Sequence, residues 1–237
     1  MKSIFLADAH LKKPTDENYR KLNDFLQNLS GEVENLFILG DFFDFWFGYR
    51  DVVFSAYVPI LATLESLVHR GIKLYFIEGN HEIHLGPFFY HHLRTHSNPR
   101  ELSISLSNRR LYLAHGDFLD DRQQWYRRWA AFIKSPITRR IISLVPPDIA
   151  SGTARRLSKI SRGKSPDIAT LPDNLNDKLA DIFRAGHDAA IIAHYHHPAH
   201  YQLTLGNRHH DVYHLGDWIT TFSYLVEEDG NFQLKEA

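Results

Sequence analysis

The chain has 237 residues, a 43% hydrophobic fraction, a formal net charge of −1 and no cysteine. This length and apolar content suit one large domain and exclude a disordered protein. The lack of cysteine excludes disulfides and zinc–thiolate sites, and no apolar stretch reaches membrane-span length.

Taken in chain order, apolar runs predict strands, and helical spacing predicts helices between the first three strands. The predicted strands span 2–7, 35–39, 73–78, 109–114, 189–193, 211–215 and 221–227. Apolar residues recur at helical spacing over 17–29 and 52–69. This alternation predicts an α/β fold, and the consecutive late strands indicate a mixed sheet or a sandwich.

Five apolar runs end in a small residue that is closely followed by Asp, Asn or His. They are 5–10, 38–41, 76–81, 112–117 and 191–196. Because strands of one sheet deliver their ends to one rim, these side chains are expected to converge. Oxygen and imidazole donors without thiolate suit hard or borderline divalent metals, and there are enough donors for two ions.

Seven residues of these runs are candidate metal ligands: Asp8, His10, Asp41, Asn80, His115, His194 and His196. Singly, such motifs are more often surface pairs, turns or caps. Asp8 and His10 are expected to share one side of an extended chain, because side chains alternate with period two. The full series predicts a site in which the Asp41 carboxylate bridges two ions.

Residues 122–170 break the pattern and are predicted to form an inserted, basic, helical lid within the single domain 1–237. Positions 122–164 contain eleven Lys and Arg residues against one acidic residue. Basic amphipathic helices bind anionic membrane surfaces, although the lid's apolar residues could instead be its own packing. The lid cations that could pair with substrate phosphates are Arg155, Arg156, Lys159, Arg162 and Lys164.

The strings 8–10, 40–44, 79–82, 115–117 and 194–196 resemble the motifs of the calcineurin-like metallophosphoesterases. The resemblance covers nearly the whole chain outside the lid. It implies a β-sandwich flanked by helices and a centre of two divalent ions, commonly Mn²⁺. One ion would bind Asp8, His10, Asp41 and His196, and the other would bind Asp41, Asn80, His115 and His194.

The resemblance also implies the roles of neighbouring residues. A water or hydroxide between the metals would attack phosphorus, and His81 would protonate the leaving oxygen or stabilise the transition state. Asn80 and His81 would contact the substrate. Glu82 is expected to orient His81, while Asp44 and Asp117 are expected to support the ligands or, alternatively, to be turn or cap carboxylates.

Within this family, the motifs and the basic lid are most similar to the UDP-2,3-diacylglucosamine pyrophosphohydrolases of lipid A biosynthesis. That similarity implies hydrolysis of a UDP-linked acylated sugar to UMP and 2,3-diacylglucosamine 1-phosphate. The chain would be cytoplasmic and peripheral on the anionic cytoplasmic face of the inner membrane. His81 stands where many of these enzymes have Arg, so a broader phosphodiesterase acting on nucleotides or nucleic acid stays an alternative.

Two functional hypotheses, action on nucleic acid and a non-catalytic scaffold, are less favoured. The apolar run 141–147 does not suit a nucleic-acid groove, which presents stacking aromatics among cations, so no nucleic-acid partner is expected. A non-catalytic scaffold would be expected to lose ligands, whereas all seven are present together with His81. No obligate protein partner is predicted.

Overall fold

A computed structural model describes residues 2–120, 128, 131–150, 152–153 and 171–237. Their strands are β1 (Lys2–Leu6), β2 (Val33–Ile38), β3 (Trp46–Phe47), β4 (Lys73–Ile77), β5 (Glu82–His84), β6 (His96–Asn98), β7 (Glu101–Leu106), β8 (Arg109–Ala114), β9 (Ala189–Ile192), β10 (Ala199–Leu205), β11 (Arg208–His214), β12 (Ser223–Glu228) and β13 (Asn231–Glu236). Their principal α-helices are α1 (Glu17–Gln27), α2 (Val58–His69), α3 (Pro136–Ile142) and α4 (Leu175–Arg184).

The strands form two mixed sheets and a short parallel pair. One sheet has the order β13-β12-β1-β2-β4-β6, and the other has the order β10-β11-β9-β8-β7. In the first, β1, β2, β4 and β6 are mutually parallel, and in the second, β8, β9 and β11 are. The predicted α/β sandwich is therefore confirmed.

Three apolar layers hold the sheets and helices together. Between the sheets, side chains such as Phe5 and Phe37 meet Leu113 and Ile191, all at most 2% exposed. On the outer face of the first sheet lie α1 and α2, and on the outer face of the second lies α4. The central strands read as continuous apolar runs because both of their faces are covered.

Over the residues that it describes, the structure adds six strands that the periodicity did not predict, and three of them, β7, β10 and β13, form hairpins at sheet edges. The turn between β7 and β8 places Ser107 and Asn108 at φ of 49° and 62°, and Asp229-Gly230 between β12 and β13 has φ of 51° and 86°. Two successive left-handed residues suit tight hairpins, and Asp-Gly is a strong sequence signal for one. The residues of these turns therefore indicate hairpin strands that the apolar periodicity does not predict.

Part of the segment predicted to be a lid lies among the described residues, and most of that part is helical. Helix α3 begins after Ser135, whose hydroxyl accepts a hydrogen bond from the Thr138 amide at 3.3 Å, and Pro136 occupies its first turn. The lid residues 122–127, 129–130, 151 and 154–170 lie outside the described part of the chain. Among the described helices, none has the length and apolar character needed to cross a bilayer.

Candidate metal centre

The predicted ligands follow the carboxyl ends of parallel strands in both sheets. Asp8, Asp41 and Asn80 follow β1, β2 and β4, whereas His115 and His194 follow β8 and β9. The rim loops also bond to one another, since the Asp8 amide donates to the Gly40 carbonyl and the Ala193 amide to the His115 carbonyl. These bonds join loops within each sheet, and the His194 amide joins the two sheets by donating to Asp8 Oδ2.

The backbone at this rim is left-handed rather than extended. Five of the seven predicted ligands have positive φ: Asp8 (53°), His10 (44°), Asp41 (49°), His194 (76°) and His196 (56°). The expectation that Asp8 and His10 share the side of an extended strand is therefore wrong, because β1 ends at Leu6. Such conformations are uncommon for residues other than glycine, and they cluster at functional sites.

Gly40 shows how closely the loops approach. It has φ of 84°, and a Cβ there would lie 2.6 Å from the Gly79 Cα and 2.7 Å from the His115 ring. Only glycine therefore fits between the loops that carry Asp41 and Asn80.

Asp41 lies at the middle of the cluster. Its Oδ2 is 3.5 Å from His115 Nε2, 3.7 Å from His10 Nε2 and 3.9 Å from His81 Nε2. Its Oδ1 accepts a hydrogen bond from the His81 amide at 2.9 Å. One carboxylate oxygen thus faces imidazoles from several loops, as a bridging ligand would.

Asp8 provides the second buried carboxylate. Its Oδ2 accepts a hydrogen bond from the His194 amide at 2.9 Å, whereas Oδ1 is buried and has no hydrogen-bond partner among the described residues. Asp8 Oδ1 lies 3.6 Å from His196 Nε2 and 4.0 Å from His10 Nε2. An orphaned carboxylate oxygen beside imidazole nitrogens fits a bound cation.

Hydrogen bonds fix the orientation of two candidate imidazole ligands. His115 Nδ1 lies 2.8 Å from the Leu39 carbonyl and His196 Nδ1 lies 3.1 Å from Asp217 Oδ2. Because these oxygens accept, each Nδ1 carries a proton, and Nε2 is left to face the carboxylates. In the neutral form that a metal requires, this arrangement would offer the Nε2 lone pair of each ring.

Electrostatics also indicate that the site needs positive charge. Burial would lower the pKa of His115, but the carboxylates of Asp41 and Asp8 outweigh burial and raise it to about 10. Burial, followed by the charge of His115, lowers the pKa of His194 to about 3. The cluster therefore holds a proton on His115 where a divalent ion would supply charge instead.

The two remaining predicted ligands, Asn80 and His194, both lie next to His115. Asn80 Oδ1 lies 3.1 Å from His115 Nε2. The His194 ring centroid is 5.1 Å from that of His115. The donor groups that could share an ion among the described residues include Asp8 with His10 and His196, and Asp8 with Asp41 and His115.

Glu82 does something other than what the sequence predicts. Its two carboxylate oxygens accept hydrogen bonds from the backbone amides of Asp41, Phe43 and Gly79 at 2.9–3.1 Å. The His81 ring is held instead by the Asp44 carbonyl, 2.6 Å from Nδ1. The prediction that Glu82 orients His81 is therefore wrong, because the Glu82 carboxylate binds the backbone of the loops that carry Asp41 and Asn80.

The two remaining predicted carboxylates differ in their surroundings. Asp44 offers an oxygen that groups with His10 and His81 nitrogens, and its Oδ1 lies 3.6 Å from Lys12 Nζ. Asp117 is 3% exposed, and burial raises its pKa although the charge of His115 opposes this. The lid cations Arg155, Arg156, Lys159, Arg162 and Lys164 lie outside the described residues.

Asp217 was not among the predicted site residues. It follows β11, a parallel strand of the second sheet, and its Oδ2 holds His196 Nδ1. Its Oδ1 accepts hydrogen bonds from the amides at 219, 220 and 221, at 2.7–3.1 Å. The string Leu215-Gly216-Asp217 carries the same apolar, small, acidic signal as the predicted ligands.

Asp217→Asn should lower metal affinity by roughly 10- to 100-fold, as is typical when a partner of a metal-binding imidazole is lost. The asparagine oxygen can satisfy the turn amides, but its NH₂ group then opposes the proton on His196 Nδ1. Metal titration followed by calorimetry checks this. The control is Asp211→Asn on β11, which pairs with Arg109 and His200 instead. Wild-type affinity in Asp217→Asn would contradict the assigned role.

Comparison with known proteins adds an independent line of support. A model of the family described as calcineurin-like phosphoesterase matches residues 1–219. A protein from Pseudomonas paraeruginosa named UDP-2,3-diacylglucosamine hydrolase is 30% identical, and the match covers 98% of this chain and 96% of that protein. Proteins of the same name from Pseudomonas savastanoi and Porphyromonas gingivalis are each 27% identical, over 98% and 95% of this chain and 94% and 93% of theirs.

Proposed function

Because this chain belongs to the calcineurin-like phosphoesterase family, we propose that it is a metal-dependent hydrolase of a nucleotide-linked lipid sugar. The proposed reaction converts UDP-2,3-diacylglucosamine and water to UMP and 2,3-diacylglucosamine 1-phosphate. The observation that carries the hydrolase assignment is the convergence of Asp8, Asp41 and His115 at the rim. The substrate is supported by the near full-length similarity to proteins of that name.

The proposed metal ligands divide into two sets that share Asp41. Asp8, His10, Asp41 and His196 would hold one divalent ion, and Asp41, Asn80, His115 and His194 would hold the other. When bound, such ions supply Lewis acidity, which makes water nucleophilic near neutral pH and offsets charge on the phosphoryl oxygens. We propose Mn²⁺, which suits oxygen and imidazole donors without thiolate.

His81 is the residue that we propose to move a proton. Its Nδ1 proton is donated to the Asp44 carbonyl, since a carbonyl oxygen can only accept. The other ring nitrogen, Nε2, faces the rim and lies 3.9 Å from Asp41 Oδ2. His81 can act as an acid only in its imidazolium form, in which Nε2 carries a proton as well. From there His81 would protonate the leaving oxygen of the substrate.

The lid supports a further part of the proposal, contact with an anionic membrane surface. Large apolar side chains of the lid are exposed, including Ile137 at 74% and Leu144 at 83%. Arg140, between them in sequence, is also exposed. Apolar side chains among cations suit a surface of anionic lipid, where a lipid-linked substrate would reside. The cations at 155–164 would pair with the substrate's phosphates.

Product analysis tests the proposal. With Mn²⁺, the protein should release UMP from UDP-2,3-diacylglucosamine much faster than it cleaves bis(4-nitrophenyl) phosphate, and EDTA should stop both reactions until metal is restored. In H₂¹⁸O, attack at the α-phosphorus should place the label in UMP and leave the sugar phosphate unlabelled.

The proposed contact with an anionic membrane has its own test. Turnover of the lipid substrate in vesicles should rise with the fraction of anionic lipid and fall with salt concentration.

The alternative, a broader phosphodiesterase, rests on His81 and predicts a different outcome. Cleavage of the aryl diester without UMP release would favour that alternative and keep the metal centre. Absence of metal-dependent hydrolysis of either compound would contradict the hydrolase assignment itself.

A further inference from the structure

A buried carboxylate outside the predicted ligand set faces two cations of the lid. Glu78 follows β4 directly, precedes Gly79-Asn80 and is 2% exposed. Its Oε1 accepts a hydrogen bond from the Leu85 amide at 3.0 Å. Its Oε2 is buried without a hydrogen-bond partner among the described residues.

The groups that face this oxygen come from the lid. Lys134 Nζ lies 3.6 Å and Arg139 Nη2 lies 3.9 Å from Glu78 Oε2. Lys134 Nζ also donates a hydrogen bond to the Gly79 carbonyl at 2.7 Å, and its side chain is only 9% exposed. A buried carboxylate is costly without compensating positive charge, so Glu78 favours the lid position that brings these cations to it.

An apolar contact joins the lid to the body as well. Ile142 and Ala150 pack against the cluster formed by Phe45, Phe47 and Tyr49. Tyr49 also donates a hydrogen bond to the Val145 carbonyl at 3.0 Å. These contacts hold the lid segment against the aromatic cluster, whereas the charged contact at Glu78 ties it to the loop that carries Asn80, two residues further along the chain.

We propose that Glu78 is a positioning residue that fixes lid residues 131–150 beside the metal centre through Lys134 and Arg139. By doing so it sets the preference for a lipid-linked substrate over small phosphodiesters. A small diester needs only the metal centre, whereas a long substrate must meet the lid and the centre together, so its reaction depends on their relative placement. The substrate named here rests on the proposed function.

Glu78→Gln tests this, because glutamine keeps the shape and an oxygen for the Leu85 amide but removes the charge. The ratio of kcat/KM for UDP-2,3-diacylglucosamine to that for bis(4-nitrophenyl) phosphate should fall roughly 10- to 100-fold, mainly through a higher KM for the lipid. Glu34→Gln is the matched control, since Glu34 pairs with Lys73 at the other end of β4 and should leave the ratio unchanged.

Two further measurements separate positioning from general damage. Amide hydrogen exchange over 131–150 should become faster in Glu78→Gln, while the bound metal per chain should stay at the wild-type value. If Glu78 acts through Lys134, adding Lys134→Met to Glu78→Gln should lower the ratio less than the two single effects combined.

The outcomes that overturn the inference are distinct. An unchanged ratio excludes the specificity role, and unchanged exchange over 131–150 excludes the positioning role. Equal losses on both substrates together with loss of metal would show that Glu78 supports the metal-binding loop instead. If the wild-type protein releases no UMP, the proposed function fails, and the exchange comparison still decides whether Glu78 holds the lid.

Discussion

Asp41→Ala should lower turnover of phosphate-ester substrates by at least about 10³-fold, because it removes the carboxylate that both proposed ions share. Losing several kcal/mol of transition-state stabilisation corresponds to a rate loss of this size. Asp41 Oδ2 lies within 3.9 Å of three imidazole nitrogens, so no neighbouring carboxylate oxygen can take its place without moving several loops. Steady-state rates and metal content per chain are the measurements.

A second substitution separates loss of charge from backbone strain. Alanine at φ of 49° is strained by about 1 kcal/mol, whereas asparagine tolerates this conformation and can still accept from the His81 amide. Asp41→Asn should therefore unfold close to the wild-type temperature while staying nearly inactive. Asp51→Asn, at an exposed Arg50–Asp51 pair, is the control. A fully active Asp41→Ala protein would rule out the two-metal centre.

Glu82→Ala should lower the free energy of unfolding by about 3 kcal/mol or more, the largest stability effect that we expect from this rim. It leaves three buried amides without an acceptor, and each unmet donor costs about 1–3 kcal/mol. Burial, with the neighbouring Asp41 carboxylate, raises the pKa of Glu82 to about 7, so relief of this repulsion offsets part of the loss. Urea denaturation in the presence of a chelator measures the difference without a contribution from metal.

Activity of Glu82→Ala should fall as well, because the amides of Asp41 and Gly79 position the loops that carry the proposed ligands. Glu82→Gln distinguishes the loss of hydrogen-bond acceptors from the creation of a cavity. Glutamine fills the space but directs an NH₂ group at backbone donors, so this variant should also have a lower free energy of unfolding. Glu65→Ala, at a more exposed pair with His92, should change the free energy of unfolding by no more than about 0.5 kcal/mol. Wild-type stability in both Glu82 variants would contradict this account.

The sequence alone determined the layout of the rim. Each predicted ligand run is a local pattern, in which an apolar strand is followed by a small residue and then by Asp, Asn or His. Such a pattern can be recognised from neighbouring residues alone, without information on distant contacts. The order of strands and helices was equally local, so the α/β sandwich could be predicted, whereas the edge hairpins were signalled by turn residues and not by burial.

The tertiary structure decided which residues act on the ligands. Asp217 reaches His196 across 21 positions, Glu82 binds amides near Asp41 across about 40, and Lys134 meets Glu78 from the lid. The left-handed backbone at Asp8 and His10 likewise depends on neighbouring loops that hold it in place. A spacing rule describes residues near one another in sequence, so contacts between distant segments follow only once the sheets have packed.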